Sequence, residues 1–282
     1  MLTVGAGCRA APEGARQFRD VEYAREGDWK LLLDLYLPEK GVEKPPLVVW
    51  IHGGGWVAGS KRRVPIDFLL EEGFAVASIN YRLAPREVFP AQVHDCKGAI
   101  RWLRAHAGEY GFDPDRIGVA GESAGGHLAA MLGTTVGDSN LEGVIGGNVG
   151  YSSDVAAVCD LAGPADLAGF ADYDRLNGSL SVVRAFLGAS VDGAPERVAS
   201  ASPVSYVDGG DAPFLILHAA GDPIVPVEQS RALHARLQAA SVPSQLVISP
   251  GSAHGWFLLQ RRGDTLRPLI TAFFRQHLAP DN

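Results

Sequence analysis

Six short apolar runs punctuate this 282-residue sequence, and each stops at glycine or a polar cluster. They lie within "PPLVVWIHGGGW", "FAVASINYR", "RIGVAGES", "DVAAVCDLAG", "FLILHAAGD" and "SQLVISPGSAHG". Runs of this length without polar alternation suit strands covered on both faces, the situation inside a parallel sheet. Helical spacing is found in Val64 to Glu72, Ala91 to Gly108, Gly126 to Thr134, Val227 to Ala240 and Asp264 to Leu278. In the second of these, Val93, Cys96, Ile100, Leu103 and Ala107 recur at intervals of three and four, which puts them on one face. Ahead of the runs, Phe18 to Glu39 alternates about Gly27-Asp28, the signature of an antiparallel pair. Parallel strands joined by helices require right-handed crossovers. The expected architecture is therefore α/β: a mostly parallel, doubly wound sheet of eight strands with helices on both faces.

Two stretches interrupt the alternation. Gly137 to Asp154 is rich in Gly, Asn and Ser and reads as a long surface loop. Gly163 to Pro203 separates two strands by more than one crossover helix needs, so it reads as a small cap insertion. Residues 1–17 read as a flexible segment and 18–282 as a single domain carrying the cap at about 163–203.

The formal charge of −7 argues against a nucleic-acid partner, and the densest basic run, Lys61-Arg62-Arg63, reads as a solvated face. No apolar run approaches the roughly 18 residues of a membrane span, so a soluble chain with no membrane partner is expected. The compartment stays open between the cytoplasm and secretion after removal of a signal, and so does the oligomeric state. Cys8, Cys96 and Cys159 cannot all pair within one chain and lack metal-ligand spacing, which favours buried free thiols.

The chemistry centres on Gly121 to Gly125, a G-x-S-x-G pattern around Ser123, between a predicted strand and a predicted helix. That context is what a nucleophile elbow demands: the serine sits on a strained turn where bulky neighbours would collide. A serine that merely caps the following helix fits the same residues. A nucleophilic serine needs a base, and the base needs an orienting acid. Asp222 follows one late apolar run and His254 the last, giving the chain order Ser, Asp, His. Asp222, which precedes Pro223, also suits a turn former, and His254 a loop histidine bonded to backbone. His127, four residues after Ser123, reads as packing. The run Gly53-Gly54-Gly55 lets backbone N–H groups turn toward an oxygen. With the N–H of Ala124, those of Gly54 and Gly55 would form an oxyanion hole.

"HGGGW", "YRLAP", "GESAGG", "GPADL" and the Asp222 and His254 loops together resemble the hormone-sensitive-lipase-like branch of the α/β-hydrolases, over roughly Phe18 to Leu278. Through "SSDVAAVCDLAGPADL" and "SASPVSYV" the sequence is most similar to bacterial acetylxylan and feruloyl esterases. The resemblance implies a carboxylic ester hydrolase with Ser123 as nucleophile, His254 as base, Asp222 as its orienter, and Gly54, Gly55 and Ala124 binding the oxyanion. No metal or other cofactor is expected: His52 has no partner at ligand spacing. Arg82 and Asp95 can pair to brace the oxyanion loop, with surface solvation as the alternative.

Many members of that family carry an N-terminal helical cap, for which Met1 to Arg16 lacks the periodicity. The roof is then left to Phe170, Tyr173, Leu176, Leu180 and Phe186 of the insertion, with Trp56 and Trp256 as stacking surface. Phe170, Trp56 and Trp256 are the candidate substrate-binding residues. Short acyl or feruloyl-type aromatic esters, including those of carbohydrate alcohols, are the expected substrates. The alternatives are an amidase or peptidase on the same triad, and a non-catalytic binding protein of the same fold, which would not need His254.

Overall fold

The computed structural model describes residues 15–39, 43–170 and 181–279, and of Ser181 and Trp256 only the backbone. The N-terminal segment up to residue 14, with Cys8, and the middle of the insertion, with Tyr173, Leu176 and Leu180, lie outside the described residues.

An antiparallel pair opens the chain: β1 (Arg16–Glu26) turns at Gly27 into β2 (Trp29–Leu37). β1 thus begins two residues ahead of the expected boundary at Phe18. Then come β3 (Leu47–Ile51), β4 (Ala75–Ile79), β5 (Ile117–Glu122), β6 (Val158–Leu161), β7 (Phe214–Ala219) and β8 (Ser244–Ser249). The eight strands form one sheet in the order β1-β2-β4-β3-β5-β6-β7-β8. β2 meets β4 antiparallel, and every pairing from β4 to β8 is parallel. This is the α/β-hydrolase architecture.

The two-sided burial expected of the apolar runs is visible residue by residue. Leu47, Val49 and Ile51 of β3 join the core on one face, while Val48 and Trp50 join the core on the other. Phe214 and Ile216 of β7 split from Leu215 and Leu217 in the same way. Four long helices cover the sheet: α1 (Ala91–Tyr110), α2 (Ala124–Thr134), α3 (Glu228–Ala239) and α4 (Trp256–His277). α1 ends at Gly111, whose left-handed φ of 87° suits a C-terminal cap.

Four local expectations need correction. Val64 to Glu72 holds only one 3-10 turn, Asp67–Leu70, because Lys61 at one end and Gly73 at the other are fixed and leave room for little more. α4 starts at Trp256 instead of near Asp264; burial of Leu258 and Leu259 extends it backward, across a kink at Arg262. The stretch from Gly137 to Asp154 is pinned rather than a free surface loop. A short helix there, Ser139–Glu142, presents the Glu142 carboxylate to Lys97 and Arg101 of α1, and Leu141 and Ile145 are buried. Finally, Lys61 does not belong to a solvated face. It is 5% exposed, with its ammonium 2.5 Å from Asp34 and 2.7 Å from Asp20, a placement that a buried cation tolerates only when so paired.

Candidate active site

Ser123 follows β5 directly and precedes the first residue of α2. Its φ of 53° and ψ of −122° are a conformation that costs a non-glycine residue about 1–3 kcal/mol. The turn is held from both sides: the Ser123 N–H donates to the Leu161 carbonyl (2.8 Å), and the Ser123 carbonyl accepts from the His127 N–H (2.9 Å). The Ser123 side chain makes no capping hydrogen bond to α2, which disfavours the helix-cap reading. The flanking glycines are explained by backbone crowding. A Cβ on Gly121 would stand 2.2 Å from the Gly125 carbonyl oxygen, and one on Gly125 would stand 2.1 Å from that of Ile51. Exposing the hydroxyl forces α2 against β3 and β5 at a separation only glycine permits.

His254 lies in the loop after β8, and its Nδ1 is 2.8 Å from Oδ2 of Asp222, in the loop after β7. A carboxylate only accepts, so Nδ1 carries the proton and Nε2 is left with its lone pair. Asp222 also forms the turn that Pro223 suggested: its Oδ1 accepts from the N–H groups of Ile224 (2.8 Å) and Val225 (3.1 Å). Burial alone would raise this carboxyl, but hydrogen bonds from His218 and His254, the charge of His254, and the Ile224 N–H hold it well below the usual carboxylate range. Asp222 is therefore ionised at neutral pH.

Ser123, Ala124, His254 and Gly53-Gly54-Gly55 line one cavity of about 560 Å³. Gly54 and Gly55 have φ of 113° and 60°, and a Cβ on Gly54 would meet the Ala58 carbonyl oxygen at 2.2 Å. The loop they form is clamped at both ends by the "YRLAP" segment. The Tyr81 hydroxyl donates to the His52 carbonyl (3.0 Å), and the Ala84 N–H donates to the Trp56 carbonyl (2.9 Å). Arg82, between them, is fixed to α1 by the Asp95 carboxylate, which accepts from its guanidinium and from its backbone N–H. Of the two readings of that pair, the bracing one matches the structure. The first N–H groups of α2, beginning at Ala124, have no acceptor within the helix, and its N-terminus favours negative charge nearby.

The three candidate substrate-binding residues fare differently. Phe170 lines the cavity and is 5% exposed. Trp56 also reaches the cavity, yet it is 2% exposed and committed to packing. Its ring stacks on Phe186 at 4.4 Å between centroids, and its indole N–H donates to Nδ1 of His127 (3.2 Å). Trp56 thus builds the wall more than it offers a face to a ligand. The Trp256 side chain lies outside the described residues. Val182 from the insertion, with Ile224 and Phe257, completes the apolar lining; the last two are about half exposed and make the mouth apolar. Arg63 also lines the cavity. Nothing in the sequence pattern distinguished these residues, since each enters by tertiary placement of a loop.

Two further histidines near the site, His52 and His127, are held neutral. Burial lowers His52 to about 4, and likewise His127, whose Nε2 meets the Ala201 carbonyl at 2.7 Å. Burial pushes the thiols of Cys96 and Cys159 well above their usual range, as befits inert packing.

Residues 33–237 match the family model described as BD-FAE. This chain belongs to that family, within the hormone-sensitive-lipase-like carboxylesterases. Esterase LipC of Mycobacterium tuberculosis is 34% identical over 87% of this chain and 62% of its own length. The chain spans about half to three fifths of the length of the curated relatives it matches first. Among solved structures, a truncated carbohydrate esterase from gut microbiota superposes with a TM-score of 0.80 at 30% identity, covering 94% of this chain and 97% of that one. A thermophilic esterase of Thermogutta terrifontis, bound to propionate, gives 0.76 at 28% identity, with 96% and 97% covered.

Proposed function

We propose that this chain is a serine-dependent carboxylic ester hydrolase, acting through an acyl-enzyme on short-chain acyl or feruloyl-type aromatic esters, including esters of carbohydrate alcohols. The observation that carries the reading is the left-handed backbone at Ser123, whose strain frees the hydroxyl from capping and turns it into a cavity shared with His254. Ser123 Oγ attacks the ester carbonyl as His254 Nε2 takes its proton, with the resulting imidazolium stabilised by Asp222. The N–H groups of Gly54, Gly55 and Ala124 receive the negative charge that develops on the carbonyl oxygen, each worth about 3 kcal/mol in comparable sites. The imidazolium returns its proton to the leaving alcohol, and water then repeats the sequence on the acyl-enzyme.

The substrate class is supported by the shape of the cavity and by the relatives. An apolar pocket of about 560 Å³ with a half-exposed mouth at Ile224 and Phe257 suits a compact acyl group and a large alcohol left outside. A carbohydrate esterase and a propionate-bound esterase among the similar structures point the same way. The test is kcat/KM across nitrophenyl esters from acetyl to dodecanoyl, beside methyl ferulate and acetylated xylan. A preference for acetyl to butyryl esters, with turnover of ferulate or acetylxylan, is expected. A maximum at the longest chains with activation at an oil–water interface would replace this reading with a lipase.

A further inference from the structure

His218 sits within the otherwise apolar run of β7, where the sequence pattern gave it no role. It is fully buried and bridges three elements. Its Nδ1 stands 2.6 Å from the hydroxyl of Ser230 on α3. Its Nε2 stands 2.9 Å from the Val225 carbonyl and 3.5 Å from Oδ2 of Asp222, the same oxygen that accepts the hydrogen bond from His254 Nδ1–H. A carbonyl oxygen can only accept, so Nε2 must carry a proton. The Ser230 hydroxyl holds the ring at Nδ1 from the other side, so the Nε2–H is aimed at the turn.

Both ends of the Val225 residue are thereby tied down. Its N–H donates to Oδ1 of Asp222, and its carbonyl accepts from His218. The distance of 3.5 Å to Oδ2 is at the limit of a hydrogen bond, so the Nε2–H is shared unevenly, with the Val225 carbonyl the nearer acceptor. The charged and titratable groups facing His218 are Asp222, with His254 beyond it, and the buried Asp160 of β6.

We propose that His218 is a positioning residue for the reaction: it clamps the 222–225 turn and biases Asp222 Oδ2 toward His254, forming with Ser230 a second layer behind the triad. The inference rests on the esterase reading above. Removing the outer partner of a metal-bound histidine costs roughly 10- to 100-fold, and a loss on that scale is expected for a partner of the triad acid.

The experiment compares His218→Phe, which keeps the ring and removes the donor, with His218→Gln, whose amide N–H can still reach the Val225 carbonyl. On 4-nitrophenyl acetate, His218→Phe should lower kcat by roughly 10- to 100-fold with little change in KM, and His218→Gln should recover most of the loss. The downfield proton resonance of His254 Nδ1–H should shift or broaden in the Phe variant and persist in the Gln variant. If His218→Phe does not fold, Ser230→Ala, which deletes one hydroxyl, should lower kcat and change the His218 tautomer read from its ring nitrogen shifts.

Wild-type kcat in folded His218→Phe, or equal losses in the Phe and Gln variants with an unchanged His254 proton, would overturn the assignment. So would Ser230→Ala with unaltered kcat and tautomer. Ser123→Ala is measured alongside. If it is inactive while His218→Phe is not impaired, the positioning role alone fails; if it turns over ester, the esterase mechanism fails and this inference with it.

Discussion

At the scale of single residues, the candidate site is a set of steric and protonic constraints with little tolerance. Gly125 shows the steric one. A methyl group there would fall 2.1 Å from the Ile51 carbonyl oxygen, and a backbone atom cannot rotate away. Gly125→Ala should therefore push α2 off β3, with overpacking typically costing about 1–3 kcal/mol, and kcat should fall more than KM rises. Thermal unfolding and steady-state kinetics on the same preparation check both halves. Asp222 shows the protonic one. Asp222→Asn would present an amide to His254 and permit the wrong tautomer, for which a loss of about 10⁴-fold in kcat is the precedent. His52 and His127 are lowered to about 4 and stay neutral through the working range. Neither can then contribute to the acid limb of kcat/KM, which should fall with the slope of a single proton. A two-proton slope in the rate profile would show that a second histidine takes part.

At the scale of elements, the proposed oxyanion loop owes its shape to a segment that lies outside the cavity lining. "YRLAP" grips His52 and Trp56, and is itself locked to α1 by Arg82 and Asp95. Asp95 is wholly buried and Arg82 nearly so. Burial pulls the Asp95 carboxyl up and the Arg82 hydrogen bonds and charge pull it back, so neither group is comfortable without the other. Asp95→Ala should destabilise the fold by about 3–5 kcal/mol, because it leaves the buried Arg82 cation with Glu87, 3.7 Å away, as its nearest counter-charge. Arg82→Met with Asp95→Leu should recover much of that loss, and chemical denaturation of the three proteins measures it. These partners also mark where sequence reading ended. The strands were legible because β3, β5 and β7 carry nearly continuous apolar runs, and the candidates Ser123, Asp222 and His254 because each follows the end of such a run. Lys61 was not, since only tertiary contact with Asp20 and Asp34 distinguishes it from its exposed neighbour Arg62. His218 was missed for the same reason, though a lone histidine inside "LILHA" was a signal. The single turn at Asp67–Leu70 escaped because three apolar residues at helical spacing do not reveal how little room the connection has.

At the scale of the whole molecule, stability and pH are coupled through a carboxyl that the site leaves uncomfortable. Asp160, on β6 beneath the elbow, is fully buried; its Oδ1 accepts from the Gly163 N–H, while its Oδ2 has no hydrogen-bond partner among the described residues. Burial raises it to about 6. The unfolded chain ionises this group near its ordinary value of about 4, whereas the folded chain holds the proton up to about 6, so folding loses stability as pH rises across that interval. Asp160→Asn removes the titration. The variant should gain up to about 3 kcal/mol relative to wild type above pH 6, and the gain should vanish below about pH 4. Thermal midpoints at pH 4 and pH 8 give the comparison.

The central claim, that Ser123 is the nucleophile of an esterase, is tested most directly by stoichiometric titration with an organophosphate ester such as paraoxon, followed by peptide mass mapping. One phosphoryl group per chain, located on Ser123, with activity lost in proportion to labelling, is the predicted result. Complete inactivation with the label elsewhere, or ester turnover surviving in Ser123→Ala, would contradict it.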